Sequence, residues 1–225
     1  NIQSKKITIV IPSYNENNNI NELIIELNKV TKNISNIIFT YFFIDDGSSD
    51  KTFQVIKNLS RKNNKIKAFR LSRNFGSHIA ISAGIEHTAD SNAIIVISSD
   101  LQEPPELITD FIIKWNEGYK VIWGIRKERS QSFLGKLFSN IFYFFFVKAS
   151  NLKNYPKEGP SCFFLLDKKV YEDYKKFKEK NRLISGLISW TGYKFTSVIY
   201  KQKPRIYGKG SFNFFKDIKL ALDSI

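Results

Sequence analysis

Ile94-Ile95-Val96-Ile97-Ser98-Ser99-Asp100-Leu101-Gln102-Glu103-Pro104-Pro105-Glu106 passes from apolar to polar within a few residues. A β-branched run ends in two serines, then a carboxylate, then a Pro-Pro brake. Such a run reads as a buried strand that delivers Asp100 to the rim of a sheet. In an open α/β sheet that rim is where ligands bind. Taken alone, the segment fits equally a plain strand followed by a turn or helix cap closed by Asp100. The flanking sequence separates the two readings.

Upstream, strand and helix patterns alternate. Ile7 to Ile11 is short and β-branched, a first strand that Pro12-Ser13-Tyr14-Asn15-Glu16 breaks into a loop. Asn17, Asn18 and Asn19 offer an N-cap, and Ile20, Leu23, Ile24, Leu27 and Val30 recur at helical spacing. Phe39 to Ile44 is a second strand, closed by Asp45-Asp46-Gly47-Ser48-Ser49-Asp50 and followed by a helix carrying Phe53, Val55, Ile56 and Leu59. Ile66 to Leu71 is a third strand, Ser72-Arg73-Asn74-Phe75-Gly76 a loop, and His78 to His87 a small-residue helix. Ala93 to Ile97 is the fourth strand. Leu107, Ile108, Phe111, Ile112 and Trp115 form the next helical stripe, and Val121 to Gly124 a fifth strand. This alternation predicts an α/β fold with a mostly parallel sheet covered on both faces. Right-handed crossovers put every loop that follows a strand on one edge. Tyr14, Asp45, Asp46, Arg73 and Asp100 are therefore expected to converge.

The second half is less regular. Leu134 to Val147 reads as a nearly apolar helix with Phe138, Phe142 and Phe145, too short to span a bilayer and flanked by Lys136 and Lys148. It fits either a core helix or an interfacial helix pressed into a membrane. Cys162 to Leu166 and Phe195 to Tyr200 read as strands, Leu183 to Trp190 as a helix, Lys201 to Lys209 as a basic loop and Phe212 to Ile225 as an amphipathic segment. No repeat or Pro/Gly linker marks a boundary, so the 225 residues are expected to form one domain.

Hydrophobic residues make up 42% of the chain, enough for a sizeable core. The single cysteine, Cys162, excludes a disulfide framework and reads as a packed thiol. With only two histidines, a typical zinc site is excluded too. The net charge of +14 points to anionic partners: nucleic acid, nucleotide phosphates or an anionic membrane face. No signal peptide is visible, and no apolar run reaches the roughly 18 to 20 residues of a membrane span. Methionine is absent even at position 1, and the last helix has no stop signal, so a trimmed chain lacking a C-terminal part is expected.

Chemistry concentrates at the strand ends. Asp45-Asp46-Gly47-Ser48 suits a nucleotide edge, where carboxylates accept from base N–H groups and ribose hydroxyls; it also suits an Asx-turn capping the next helix. Tyr14 offers a ring to stack on a base. Asp100 and Gln102, alternate residues leaving a strand, are expected to point the same way. They offer two oxygen ligands for Mg²⁺ or Mn²⁺, completed by diphosphate oxygens and water. Such a metal neutralises charge on a leaving diphosphate. Arg126, Arg129, Arg205 and Lys209 add cations suited to phosphate, or simply a solvated basic surface. The absence of a P-loop and of G-x-G-x-x-G argues against nucleoside triphosphatases and dinucleotide enzymes.

Five segments in register resemble family 2 glycosyltransferases of the GT-A fold. They are Ile9-Val10-Ile11-Pro12-x-Tyr14-Asn15-Glu16, Asp45-Asp46-Gly47-Ser48-x-Asp50-x-Thr52, Arg73-Asn74-Phe75-Gly76, Ser99-Asp100-Leu101-Gln102-Glu103-Pro104-Pro105-Glu106, and Trp123-Gly124-Ile125-Arg126 with Arg129. Their order is similar to the dolichol-phosphate and bacterial polyprenyl-phosphate branch, over roughly residues 5 to 225. The resemblance implies a nucleotide-diphosphate sugar donor, UDP or GDP, and inversion at the anomeric carbon. It implies that residues 1–125 bind the nucleotide sugar and residues 126–225 the acceptor and membrane. By position, Pro12, Tyr14, Glu16, Asp45, Asp46, Arg73, Ser99 and Asp100 would contact the donor. Asp100 and Gln102 would hold Mg²⁺ or Mn²⁺. Asp100, Arg126, Arg205 and Lys209 would serve the transfer, the three basic residues meeting the acceptor phosphate or the diphosphate. The branch further implies the cytoplasmic face of the cell membrane, C-terminal membrane helices and a homo-oligomer.

Two departures bear on mechanism. The family usually has Asp-x-Asp where this chain has Ser98-Ser99-Asp100, which weakens the expected metal site. Relatives that glycosylate a sugar hydroxyl often carry an acidic pair where this chain reads Lys180-Asn181-Arg182-Leu183. A hydroxyl acceptor needs a general base; a phosphate is already an anion. The favoured acceptor is therefore a polyprenyl phosphate. The alternatives are transfer to a glycan hydroxyl, as on a lipid-linked glycan, with Glu179 or Glu158 as base, and an inactive nucleotide-sugar or nucleic-acid binder. A nucleic-acid partner is not favoured, because charge alone is nonspecific.

Overall fold

The computed structural model describes residues 4–127, 155–156, 161–178 and 183–205. The elements are β1 (Lys5–Ser13), α1 (Ile20–Thr31), β2 (Ile37–Asp45), α2 (Thr52–Lys62), β3 (Ile66–Arg70), α3 (Ser77–Glu86), β4 (Ala93–Val96), α4 (Leu107–Asn116), β5 (Val121–Arg126), β6 (Phe164–Asp167), α5 (Lys168–Tyr174), α6 (Ile184–Trp190) and β7 (Phe195–Tyr200). The strands form one sheet in the order β3-β2-β1-β4-β6-β5-β7. β6 runs antiparallel to both neighbours, and the other pairs are parallel. The expected α/β class and mostly parallel sheet are what the chain adopts.

Alternation along the strands divides the core. Ile7, Ile9 and Ile11 of β1 pack with Ile20, Leu23 and Leu27 of α1, Ile56 of α2 and Phe111 of α4. Val10 turns to the other face, with Ile44, Ile81 and Ile85 of α3, Tyr171 and Tyr174 of α5, and Ile188 of α6. Because both faces are covered, the strands read as continuous apolar runs. Each fully buried Ile contributes about 1.5–3 kcal/mol. The small residues of α3 let it lie close: a Cβ on Gly84 would fall 2.3 Å from Cγ1 of Val10.

Several boundaries differ from those expected. β1 continues through Pro12 to Ser13, paired with Ile44 and Asp45. Pro12 is tolerated because β4 stops pairing at Val96, so its missing N–H removes no ladder bond. The Pro12 carbonyl instead accepts from Ser99 Oγ at 3.1 Å. β5 runs past Gly124 to Arg126 along β7. α5 has no counterpart in the sequence reading; its seven residues are too few for a clear helical period, and Asp167 caps it by accepting from the Lys169 amide.

The order of strands positions the site. The chain goes from β1 outward through β2 to β3, then returns to place β4 on the other side of β1. The crevice at the carboxyl ends of β1 and β4 is thus a topological switch point, the place where open α/β sheets take ligands.

Candidate active site

The loops after β1 and β2 are stitched into one unit. Asn15, at φ 55°, accepts from the Ser49 amide at 2.9 Å, and its own amide donates to Ser48 Oγ at 3.0 Å. The Glu16 amide donates to Thr52 Oγ1 at 2.8 Å, and Asp50 accepts from the Thr52 amide at 2.8 Å. Much of what these two motifs encode is therefore their mutual fit. Tyr14 stays exposed at the rim.

Asp45 and Asp46 turn inward. Asp45 is fully buried, 3.0 Å from Arg70 Nε and facing the Ser48 amide. Asp46 accepts from the amides of Phe75 and Gly76, each at 2.8 Å. It thus supplies the anion that the N-terminus of α3 attracts. Burial lifts Asp46 above its ordinary value, although both amides pull it down. Both carboxylates thus make contacts that build the wall of the crevice. Gly47 makes that wall possible: at φ +65° it lies so close to the loop after β3 that a Cβ would sit 2.4 Å from the Arg73 carbonyl carbon. Arg73 stacks over the Phe75 ring, 4.0 Å from its centroid, both exposed.

The loop after β4 carries the charges that face the crevice. β4 ends at Val96, so Asp100 and Gln102 do not continue its alternation. Leu101 takes φ 60°, and the Gln102 amide turns back to Asp100 Oδ1 at 3.2 Å. The pair meets in a turn, because a left-handed residue reverses the chain where a strand would extend it. Arg205 reaches in from the segment after β7. Its Nη2 donates to Asp100 Oδ2 at 2.8 Å and its Nη1 lies 3.6 Å from Glu16 Oε1. Backbone bonding holds this segment, the Lys203 amide donating to the Gln102 carbonyl at 2.9 Å. Burial pushes Glu16 above its ordinary value; the Asn19 amide opposes this and the Asp100 charge adds to it.

Glu103 was not among the expected site residues, yet it lies at the centre. Its side chain is 2% exposed. Oε2 accepts from the Ser98 amide at 3.0 Å, and Oε1 lies 4.0 Å from Nη2 of Arg126. Burial first, and the Asp100 charge second, push it up to about 7. In sequence a glutamate before two prolines reads as a solvated loop residue, and nothing local signals burial. Arg126, at the end of β5, also donates from Nε to Tyr200 Oη at 3.4 Å. Cys162 packs against the second core face, where burial pushes its thiol up to about 12, too high for a nucleophile at neutral pH.

For a divalent cation, Asp100 offers a carboxylate at the rim and Gln102 a side-chain amide in the same turn. Mg²⁺ is commonly held by one or two carboxylates with substrate phosphates, so these donors fit a metal that arrives with a diphosphate. No cluster of three or more acidic, His or Cys ligands exists among the described residues. Ser98 contributes its backbone amide to Glu103. Arg129, the Phe-rich stretch 134–147, Glu158, Glu179, the segment 180–182, Lys209 and the segment 212–225 lie outside the described residues.

An open sheet with acidic and basic side chains gathered at its switch point has the architecture of GT-A glycosyltransferases. The chain belongs to glycosyl transferase family 2, whose model matches residues 8–175. It is 37% identical over 221 residues to an uncharacterized glycosyltransferase of Synechocystis, covering 98% of this chain and 68% of that protein. It is 34% identical over 222 residues to a prophage bactoprenol glucosyl transferase homolog of Escherichia coli, covering 98% and 71%. In structure it is similar to a mannosyltransferase of Pyrobaculum calidifontis, solved with GDP-Man and Mn²⁺, at TM-score 0.61 and 14% identity over 91% of this chain and 58% of that one. The protein is a glycosyltransferase.

Proposed function

We propose that the chain moves a sugar from a nucleotide diphosphate, a UDP-sugar in preference to a GDP-sugar, onto a polyprenyl phosphate at the cytoplasmic face of the membrane. The observation that carries this reading is the placement of two arginines at the switch point, Arg205 paired with Asp100 and Arg126 facing the neighbouring Glu103. Two guanidinium groups against that one loop suit two phosphate-bearing substrates. The similarity to a bactoprenol glucosyl transferase homolog supports a lipid phosphate as acceptor.

In this reading Tyr14, with Pro12 and Ser99 behind it, borders the nucleoside, and Arg73 lies at the outer rim. Asp100 and Gln102 would hold Mg²⁺ or Mn²⁺, which when bound offsets negative charge on the departing diphosphate. Arg205 leaves Asp100 for a substrate phosphate, and Arg126 orients the second one. The acceptor phosphate oxygen attacks the anomeric carbon as the bond to the diphosphate breaks, which inverts that centre. The acceptor is an anion already, so no side chain need remove a proton. Residues after 126, including Arg129 and Lys209, belong to the acceptor side.

The test is a transfer assay with purified protein, a panel of UDP- and GDP-sugars and undecaprenyl phosphate, with Mg²⁺ or Mn²⁺. Sugar–phosphate–lipid product is expected from one donor. Transfer to a free glycan with none to the lipid phosphate would overturn the reading.

A further inference from the structure

Between the loop that carries Asp100 and the strand that carries Arg126 lies a buried carboxylate that touches both. The bond from the Ser98 amide to Glu103 Oε2, at 3.0 Å, closes residues 98–103 into a ring with Asp100 at its outer turn. The other oxygen lies 4.0 Å from Arg126, which also donates to Tyr200 Oη. A carboxylate 2% exposed has almost no water to stabilise its charge, so a nearby cation is held to it more firmly than at the surface. Asp100, by contrast, lies at the rim and already has Arg205 on its outer oxygen.

We propose that Glu103 is the positioning residue of the transfer site, its carboxylate tying Arg126 to the Asp100 loop so that the guanidinium meets a substrate phosphate in a fixed place. This rests on the phosphate-binding role given to Arg126 above. A carboxylate that served only to cap the loop would need its hydrogen bond and not its charge. A positioning carboxylate needs both.

Glu103→Gln separates these, because the amide oxygen still accepts from Ser98 while the charge is gone. In the transfer assay the KM for undecaprenyl phosphate should rise about tenfold with kcat little changed, and the effect should vanish in the Arg126→Ala background. If Glu103→Gln keeps wild-type kinetics while Arg126→Ala is impaired, Glu103 is only a cap and the inference falls. Losses that simply multiply in the double variant overturn it as well. If Arg126→Ala itself transfers normally, the phosphate role of Arg126 fails instead. Should Glu103→Gln unfold below the assay temperature, Glu103→Asp replaces it, keeping the charge on a shorter reach, with the same dependence on Arg126 expected.

Discussion

Arg205 and Asp100, 105 residues apart, meet at 2.8 Å across the mouth of the crevice, so the segment after β7 places a cation on the carboxylate at the rim. A divalent ion would seek the same oxygen. Arg205→Ala should therefore let donor-free protein bind Mn²⁺ several-fold more tightly, because a competing cation is gone, while transfer falls about 10- to 100-fold. Titration of free Mn²⁺ by electron paramagnetic resonance, beside the transfer assay, reads both. Unchanged Mn²⁺ affinity would show that the guanidinium does not compete.

Asp46 is predicted to matter for the fold. Asp46→Ala leaves the part-buried amides of Phe75 and Gly76 without their acceptor and should destabilise the protein by about 1–3 kcal/mol in urea unfolding. Asp46→Asn, which keeps one acceptor, should lose roughly half as much.

Gly47 is predicted to tolerate no side chain. Gly47→Ala puts a methyl group against the backbone of Arg73 at a positive φ, where the neighbour cannot rotate away. A loss of about 1–3 kcal/mol or more is expected in denaturant midpoint, with weaker donor binding in thermal shift because the rim loop must move.

Asp167 is predicted to contribute to acid sensitivity. Burial alone would raise it, but Trp115 Nε1, Lys120 Nζ and the Lys169 amide all donate to it and together hold it below its ordinary 3.8. A depressed acid stabilises the fold above its unfolded value and loses that contribution as pH falls through its folded value. Stability should therefore decline below about pH 4, with the change visible in Trp fluorescence. Asp167→Asn should be less stable at neutral pH and show a shallower loss in acid.

The alternation of strands and helices up to β5 was legible because each element carries its own period. Ile20, Leu23, Ile24 and Leu27 mark a helix face wherever the chain goes, and all are buried. Asp100 was legible as a rim residue because an apolar run ended just before it. Glu103 was not, since its burial comes from β5 and the residues around Cys162 and Tyr200, not from its neighbours in sequence. The partners of Asp45 and Asp46 were not legible either, for the same reason. A carboxylate at a strand end looks alike in sequence whether it faces a ligand or, as Asp46 does, the amides of another loop.

By itself the sequence determined the α/β class, the edge at which the loops gather and the family to which the motifs belong. These follow from hydrophobic period and local turn chemistry, which act over a few residues. Only the tertiary structure decided that β6 enters the sheet reversed between β4 and β5. It alone turned Asp45 and Asp46 inward, and it alone brought Glu103 to Arg126 and Arg205 to Asp100. Those pairings join residues far apart in the chain. The direction a charged side chain takes is settled by which partner the packed fold brings within hydrogen-bonding reach, because a buried charge left unpaired is too costly to persist.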